Sequence, residues 1–267
     1  MKEKNKMDKR THAMLKNLTD KEHIKIVPRG NKAILYALRI GKKLGKTKVF
    51  IQDQGGWITY KQFPKKLKLK LIELKTDYGI LNIKELKDIG KDSVLLINSM
   101  PGYAAEQDMV PVYRICKNKN CLLINDISGS IGTRQAKYGD ISVCSFGNDK
   151  PLNYGCGGLL AVRDKGWLDL TEIKEEKLGD DFYEKLLSLE KRLASLKNIN
   201  TKIKDELKRF EIIHRNRKGI NVIVKFNNEM EKEQIEGYCK KNKYEYTLCP
   251  RYIRVNCDAV SIEVKRL

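Results

Sequence analysis

Four short apolar runs constrain the fold of this chain more than any other feature. They are Ser93–Asn98 (Ser-Val-Leu-Leu-Ile-Asn), Cys121–Asn125 (Cys-Leu-Leu-Ile-Asn), Ile141–Ser145 (Ile-Ser-Val-Cys-Ser) and Leu159–Val162 (Leu-Leu-Ala-Val). Each has strand length and is apolar on both alternating faces, so as a strand it must be covered from both sides. Lys48–Asp53 and Leu69–Leu74 read the same way. Between the runs the period changes. Apolar residues follow helical spacing from Asn31 onward, and Met109, Val112 and Ile115 share one face of a helix over 108–117. A shorter helix fits 82–88. Strands alternating with helices predict an α/β fold with a mainly parallel sheet between helix layers. In such sheets ligands bind in the loops beyond the strand ends. Asp53, Asp126 and Ser145 stand at such ends.

The pattern divides the 267 residues into three parts. Residues 1–27 form a basic N-terminal arm, exposed or loosely helical. Residues 28–165 form the large α/β domain. Residues 166–267 form a connecting helix, with Leu186, Leu187, Leu189, Leu193 and Leu196 along one side, and a small α+β domain. That small domain is expected to hold a strand from Gly219, a helix over 229–240, and short strands over 244–249 and 252–257.

Composition narrows the function classes. The formal charge is +20, from 54 Lys and Arg against 34 Asp and Glu. A nucleic-acid partner would account for it. The lysines are spread along the chain with no RNP-type aromatic motif or zinc knuckle beside them, so compositional bias is the preferred reading. Seven cysteines, an odd number without a Cys-x-x-Cys pair, argue against a disulfide framework and a zinc ribbon. Cys156 differs from the others because it lies in a glycine loop near Lys150, where a reactive thiol is conceivable. The three histidines share no ligand spacing, so no metal is expected. No apolar run approaches a membrane span and no apolar stretch follows the basic start, so a cytoplasmic protein is expected.

The polar residues between the runs carry the chemistry. Asn125-Asp126-Ile-Ser-Gly-Ser ends one run, Ser145-Phe-Gly-Asn-Asp-Lys150-Pro-Leu ends the next, and Gly155-Cys-Gly-Gly158 precedes the last. A lysine, an acid and a hydroxyl at the ends of buried strands are what pyridoxal phosphate requires. Lys150 is the candidate for the imine and Asp126 the candidate partner of the pyridine nitrogen. Gly30, Asn31 and Lys32, at a helix start, form a candidate phosphate cup. Ser145 adds a hydroxyl, and Trp57, after Gly55-Gly56, offers a ring for stacking. Each also has an ordinary reading: surface lysine, turn-capping acid, helix terminus, core tryptophan.

These motifs resemble the sugar aminotransferase family named after DegT, DnrJ, EryC and StrS, within the fold-type-I pyridoxal-phosphate enzymes. The quoted segments from Asn125 to Gly158 follow that family's order, and Gly30-Asn-Lys-Ala-Ile-Leu is similar to its phosphate element. The resemblance covers about Pro28 to Val162. It implies a homodimer using pyridoxal 5'-phosphate to move an amino group between an amino acid and a keto substrate such as a sugar. It also implies that Lys150 forms the Schiff base, Asp126 binds the pyridine nitrogen, and Ser145, Gly30 and Asn31 hold the phosphate. Gly129 stands where the family has Gln, and Asn31 stands where it has Thr, in a place where it can still cap the helix. Arg254, or Arg251 nearby, is a candidate for a substrate carboxylate. A lyase or sulfur-transfer enzyme, an enzyme acting on aminoacyl-tRNA, and a relative that has lost catalysis are the alternatives on the same fold.

Overall fold

The structure is a computed structural model and describes residues 7–267. A seven-stranded sheet dominates it. The strands are β1 (His23–Val27), β2 (Lys48–Gln52), β3 (Lys70–Leu74), β6 (Ser93–Asn98), β7 (Leu122–Asp126), β8 (Ile141–Ser145) and β9 (Gly158–Val162), after a two-residue pair β4 (Thr76–Asp77) and β5 (Ile80–Leu81) that lies outside it. Their order is β1-β9-β8-β7-β6-β2-β3. The run from β3 to β8 is parallel, and β9 is antiparallel to both neighbours.

Alternate residues of the central strands go to different cores, as the two-faced apolar runs require. Val49, Val94, Leu96, Leu122 and Ile124 pack with α2 (Gly30–Lys43) and α3 (Thr59–Lys66). Phe50, Leu95, Ile97 and Leu123 pack with Met109, Val112 and Cys116 of α4 (Met109–Asn118). Asp108 caps α4, its side chain accepting from the Val110 N–H.

From residue 7 onward the expected N-terminal arm is a packed helix and a sheet strand. Residues 1–6 lie outside the described part. Lys9–Thr19 is a helix, α1, capped by Asp8, and it buries Thr11, Leu15 and Thr19. His23–Val27 is an edge strand of the main sheet, paired in full with β9. Residues 7–27 are therefore built into the large sheet unit; a fully buried leucine such as Leu15 contributes ~1.5–3 kcal/mol of burial.

Helix α5 (Phe182–Glu206) carries Leu186, Leu189, Leu193 and Leu196 into the core, while Leu187 stays exposed. It leads to a small sheet, β10 (Val222–Lys225), β12 (Ala259–Ile262) and β11 (Tyr246–Cys249), all antiparallel, with α6 (Glu229–Lys241) against it. The strand expected over 252–257 is a turn, closed by hydrogen bonds between Arg251 and Val255 and between Arg254 and Arg251. The central strand is instead Ala259–Ile262, buried at every position. The turn brings Arg254 onto Glu263.

Candidate functional site

A cavity of about 540 Å³ opens at the C-terminal ends of β7 and β8, between the large sheet and the small domain. Asp126 is the last residue of β7 and Ser145 the last of β8. Asp126 is 4% exposed. Its Oδ1 accepts from the Ser128 N–H at 2.9 Å and its Oδ2 from the Tyr60 hydroxyl at 2.7 Å. Burial, with Asp126 beside it, pushes the Tyr60 phenol well above its ordinary value, so Tyr60 remains a donor. A carboxylate held by two donors is fixed in direction.

Lys150 lines the same cavity. Its Nζ donates to the Tyr103 hydroxyl at 2.8 Å and lies 5.3 Å from the Trp57 ring centroid and 5.0 Å from that of Tyr103. Burial alone would lower the amine; Tyr103 and Asp126 outweigh it, and the net direction is upward.

Gly30 begins α2 against Ser145. A Cβ at residue 30 would stand 2.6 Å from the Ser145 Cβ, so only glycine lets the helix start approach this closely. The residue before it, Arg29, is extended and makes no side-chain cap, and the first two residues of α2, Gly30 and Asn31, line the cavity. Asn31 does not cap the helix. It is the second helical residue, and its Oδ1 accepts from Trp57 Nε1 at 2.7 Å, which fixes the indole at the cavity wall.

The structure thus brings together Gly30, Asn31, Trp57, Asp126, Ser145, Lys150 and Arg254. Lys32 is exposed and outside the cavity lining, and Asp53 is engaged by the Thr76 hydroxyl at 2.5 Å. Cys156 is exposed at the rim. Arg254 lines the cavity with its fork already filled: Nε donates to Glu263 Oε1 at 2.7 Å, Nη2 to Glu263 Oε2 at 2.6 Å, and Nη1 to the Ile253 carbonyl at 2.8 Å. A substrate carboxylate at Arg254 would have to displace Glu263. Burial works to raise the Glu263 carboxyl; Arg254, Lys265 and Ser261 outweigh it and hold it at about 2.

Several lining residues were not singled out by the sequence, chief among them Tyr103 and Lys265. Lys265 lies 3.4 Å from Glu263, and its amine is still brought down to about 8, because burial exceeds the pull of a carboxylate already shared with Arg254. Tyr103 explains Gly129. A Cβ at residue 129 would stand 3.0 Å from Tyr103 Cδ1 and 3.2 Å from Met100 Cβ, so the tyrosine ring occupies the space next to that glycine. The turn residues Pro101-Gly102 after the run ending at Asn98 were the available local signal, and in the structure Gly102 and Tyr103 take φ 58 and 63. Among the described residues no group of His, Cys, Asp or Glu could hold a metal ion, and no helix is long and apolar enough to cross a membrane.

The profile of the MJ1341 family C-terminal domain matches residues 190–267. Solved structures match nearly the whole chain. A 3-amino-5-hydroxybenzoic acid synthase is 15% identical with a TM-score of 0.69, over 97% of this chain and 86% of its own. A DegT DnrJ EryC1 StrS aminotransferase from Brucella abortus is 14% identical with a TM-score of 0.71, over 96% and 85%. A sphingosine-1-phosphate lyase from Burkholderia pseudomallei is 8% identical with a TM-score of 0.70, over 94% and 68%. At these identities the likeness is one of fold, and the fold carries both amino transfer and bond cleavage. The chain has the fold of the fold-type-I pyridoxal-phosphate-dependent transferases, the DegT/DnrJ/EryC1/StrS aminotransferases among them.

Proposed function

We propose that the cavity holds pyridoxal 5'-phosphate and that the protein is an aminotransferase acting between an amino acid and a keto substrate. One observation carries this reading: the Lys150 amine lies close to the Trp57 and Tyr103 rings in the cavity shared by the Asp126 carboxylate and the uncapped start of α2. The donor set fits the group. The first amides of α2 and the Ser145 hydroxyl suit a phosphate, Trp57 offers a flat apolar face, and Asp126 presents a buried carboxylate to a protonated ring nitrogen. When bound, pyridoxal phosphate supplies the electron sink that lets an amino-acid α-carbon lose a proton.

Lys150 would hold the cofactor through its amine and, once released by the incoming amino group, carry the α-proton on Nζ. Tyr103 would orient that amine through its hydroxyl. Tyr60 would keep Asp126 aimed. Gly30 would set the distance between the helix start and Ser145. A homodimer belongs to the same reading, and sedimentation equilibrium measures it.

The test is a visible spectrum of the protein with added pyridoxal phosphate, before and after borohydride. An absorption band near ~420 nm, fixed by borohydride to the peptide containing Lys150, is the expected result. A Lys150→Ala protein should bind cofactor without that label and without turnover. Label on scattered lysines, or transamination by Lys150→Ala, overturns the reading. Bleaching of the band by successive amino acids then identifies the donor.

A further inference from the structure

A second cavity, of about 390 Å³, lies away from Lys150, between the C-terminal turns of α5 and the loop 215–219. Asn200 and Lys204 lie on one face of α5 at i, i+4 spacing and reach its floor. Both are buried, at 3% and 7% exposure. The Asn200 amide donates to the Asn221 carbonyl at 2.7 Å. The Lys204 ammonium donates to the Arg217 carbonyl at 2.7 Å. That is its one described hydrogen bond, of the three it can donate. Among the described residues no carboxylate forms an ion pair with Lys204. Exposed Arg215, Arg217 and Lys218 stand around the mouth, and Asp205 is the one acidic residue of the lining.

An ammonium buried without a counter-charge is costly, and here burial lowers the Lys204 amine to about 8. The position near the C-terminal end of α5 offsets part of this cost through the helix dipole. An anion in the cavity would offset much more, and its oxygens would accept the two remaining ammonium protons. The arginines at the mouth suit phosphate oxygens in particular. The volume is that of a small-molecule site and exceeds what one bare oxyanion needs.

We propose that this cavity is a second ligand site, which takes a phosphate-bearing ligand with a phosphate oxygen on Lys204 and the remaining charge on Arg215, Arg217 and Lys218. Two sources share that chemistry: a free phosphorylated metabolite and the backbone of a nucleic acid. The site gives a local function to part of the +20 charge that the sequence spreads along the chain. It does not depend on what the Lys150 cavity binds.

The test is titration of the isotope-labelled full chain with inorganic pyrophosphate and, separately, with a short single-stranded oligoribonucleotide, following backbone amide resonances. The amides of Thr201, Arg217, Lys218 and Gly219 should shift. Lys204→Met should weaken binding by about tenfold or more, the scale of one charge-assisted contact. An Arg215→Glu/Lys218→Glu protein, altered only at exposed positions, should weaken it similarly and covers the case in which Lys204→Met fails to fold. Tighter binding of RNA with a steep salt dependence assigns the site to a nucleic-acid backbone; pyrophosphate binding as tightly with a shallow dependence assigns it to a metabolite. No shift at those amides with either probe, or equal affinity in wild type and both variants, overturns the proposal.

Discussion

Lys150 and Tyr103, 47 residues apart in sequence, are joined by a 2.8 Å hydrogen bond from the ammonium to the phenolic oxygen. Tyr103 is held for that contact. Its carbonyl accepts from the Ile220 and Asn221 amides, which ties the loop carrying it to the start of the small domain. The contact favours the charged amine, whereas attack on an aldehyde needs the neutral one. Tyr103→Phe should lower the Lys150 pKa, because it removes a partner of the charged form and leaves the burial. The rate of cofactor attachment, followed by absorbance, should then begin to rise at lower pH than in wild type. An unchanged pH profile would show that the phenol does not govern the amine.

Glu263 supports the cavity wall by satisfying Arg254. Glu263→Gln leaves a buried guanidinium short of a counter-charge, and a loss of about 3–5 kcal/mol is expected in urea unfolding. The pH window follows from the folded pKa of about 2 against an ordinary 4.5. The stabilisation from this carboxylate is complete above the ordinary value and is lost as pH falls through about 2. The difference between wild type and Glu263→Gln should therefore narrow across that acid range.

Lys265 has the opposite sign. Its folded pKa of about 8 lies below the ordinary 10.5, so between those values the unfolded chain binds more protons than the folded one, and stability from this group rises with pH. Lys265→Met should lack that rise. Relative to wild type it should be most favourable below about 8, and the difference should shrink toward 10.5. Urea midpoints measured across that window check it.

Two glycines separate space from conformation. Gly30→Ala places a Cβ 2.6 Å from the Ser145 Cβ, and overpacking of this kind costs roughly 1–3 kcal/mol. Because α2 must then move away from Ser145, cofactor affinity should fall by about tenfold for each 1.4 kcal/mol lost at the phosphate seat. At Gly237, within α6, an added Cβ would meet no atom within 4 Å. Gly237→Ala should stabilise by ~0.5–1 kcal/mol and leave cofactor titration unchanged.

Local pattern made the main sheet legible. The runs at Ser93, Cys121, Ile141 and Leu159 are strands because a short run apolar on both faces has few other ways to be buried. The positions of Asp126 and Ser145 at the ends of β7 and β8, with Lys150 in the loop that follows, were legible for the same reason, since those ends could be counted along the chain. The first strand was missed because His23-Ile-Lys-Ile-Val is short, with lysine in its middle, and its pairing partner lies more than a hundred residues away. The strand expected over 252–257 failed because alternating apolar residues there serve a turn that delivers Arg254 to Glu263.

The sequence by itself determined the central strands of the large sheet, their mainly parallel arrangement and the polar groups that follow them, because these depend on periodicity within a dozen residues. Only the tertiary structure decided that Tyr103 fills the space beside Gly129 and holds Lys150, that Glu263 takes the fork of Arg254, and that Lys204 is buried beside Arg217. The Tyr103 contacts join segments far apart in sequence, and the Arg254–Glu263 and Lys204–Arg217 contacts are made across turns whose course no helix or strand period encodes.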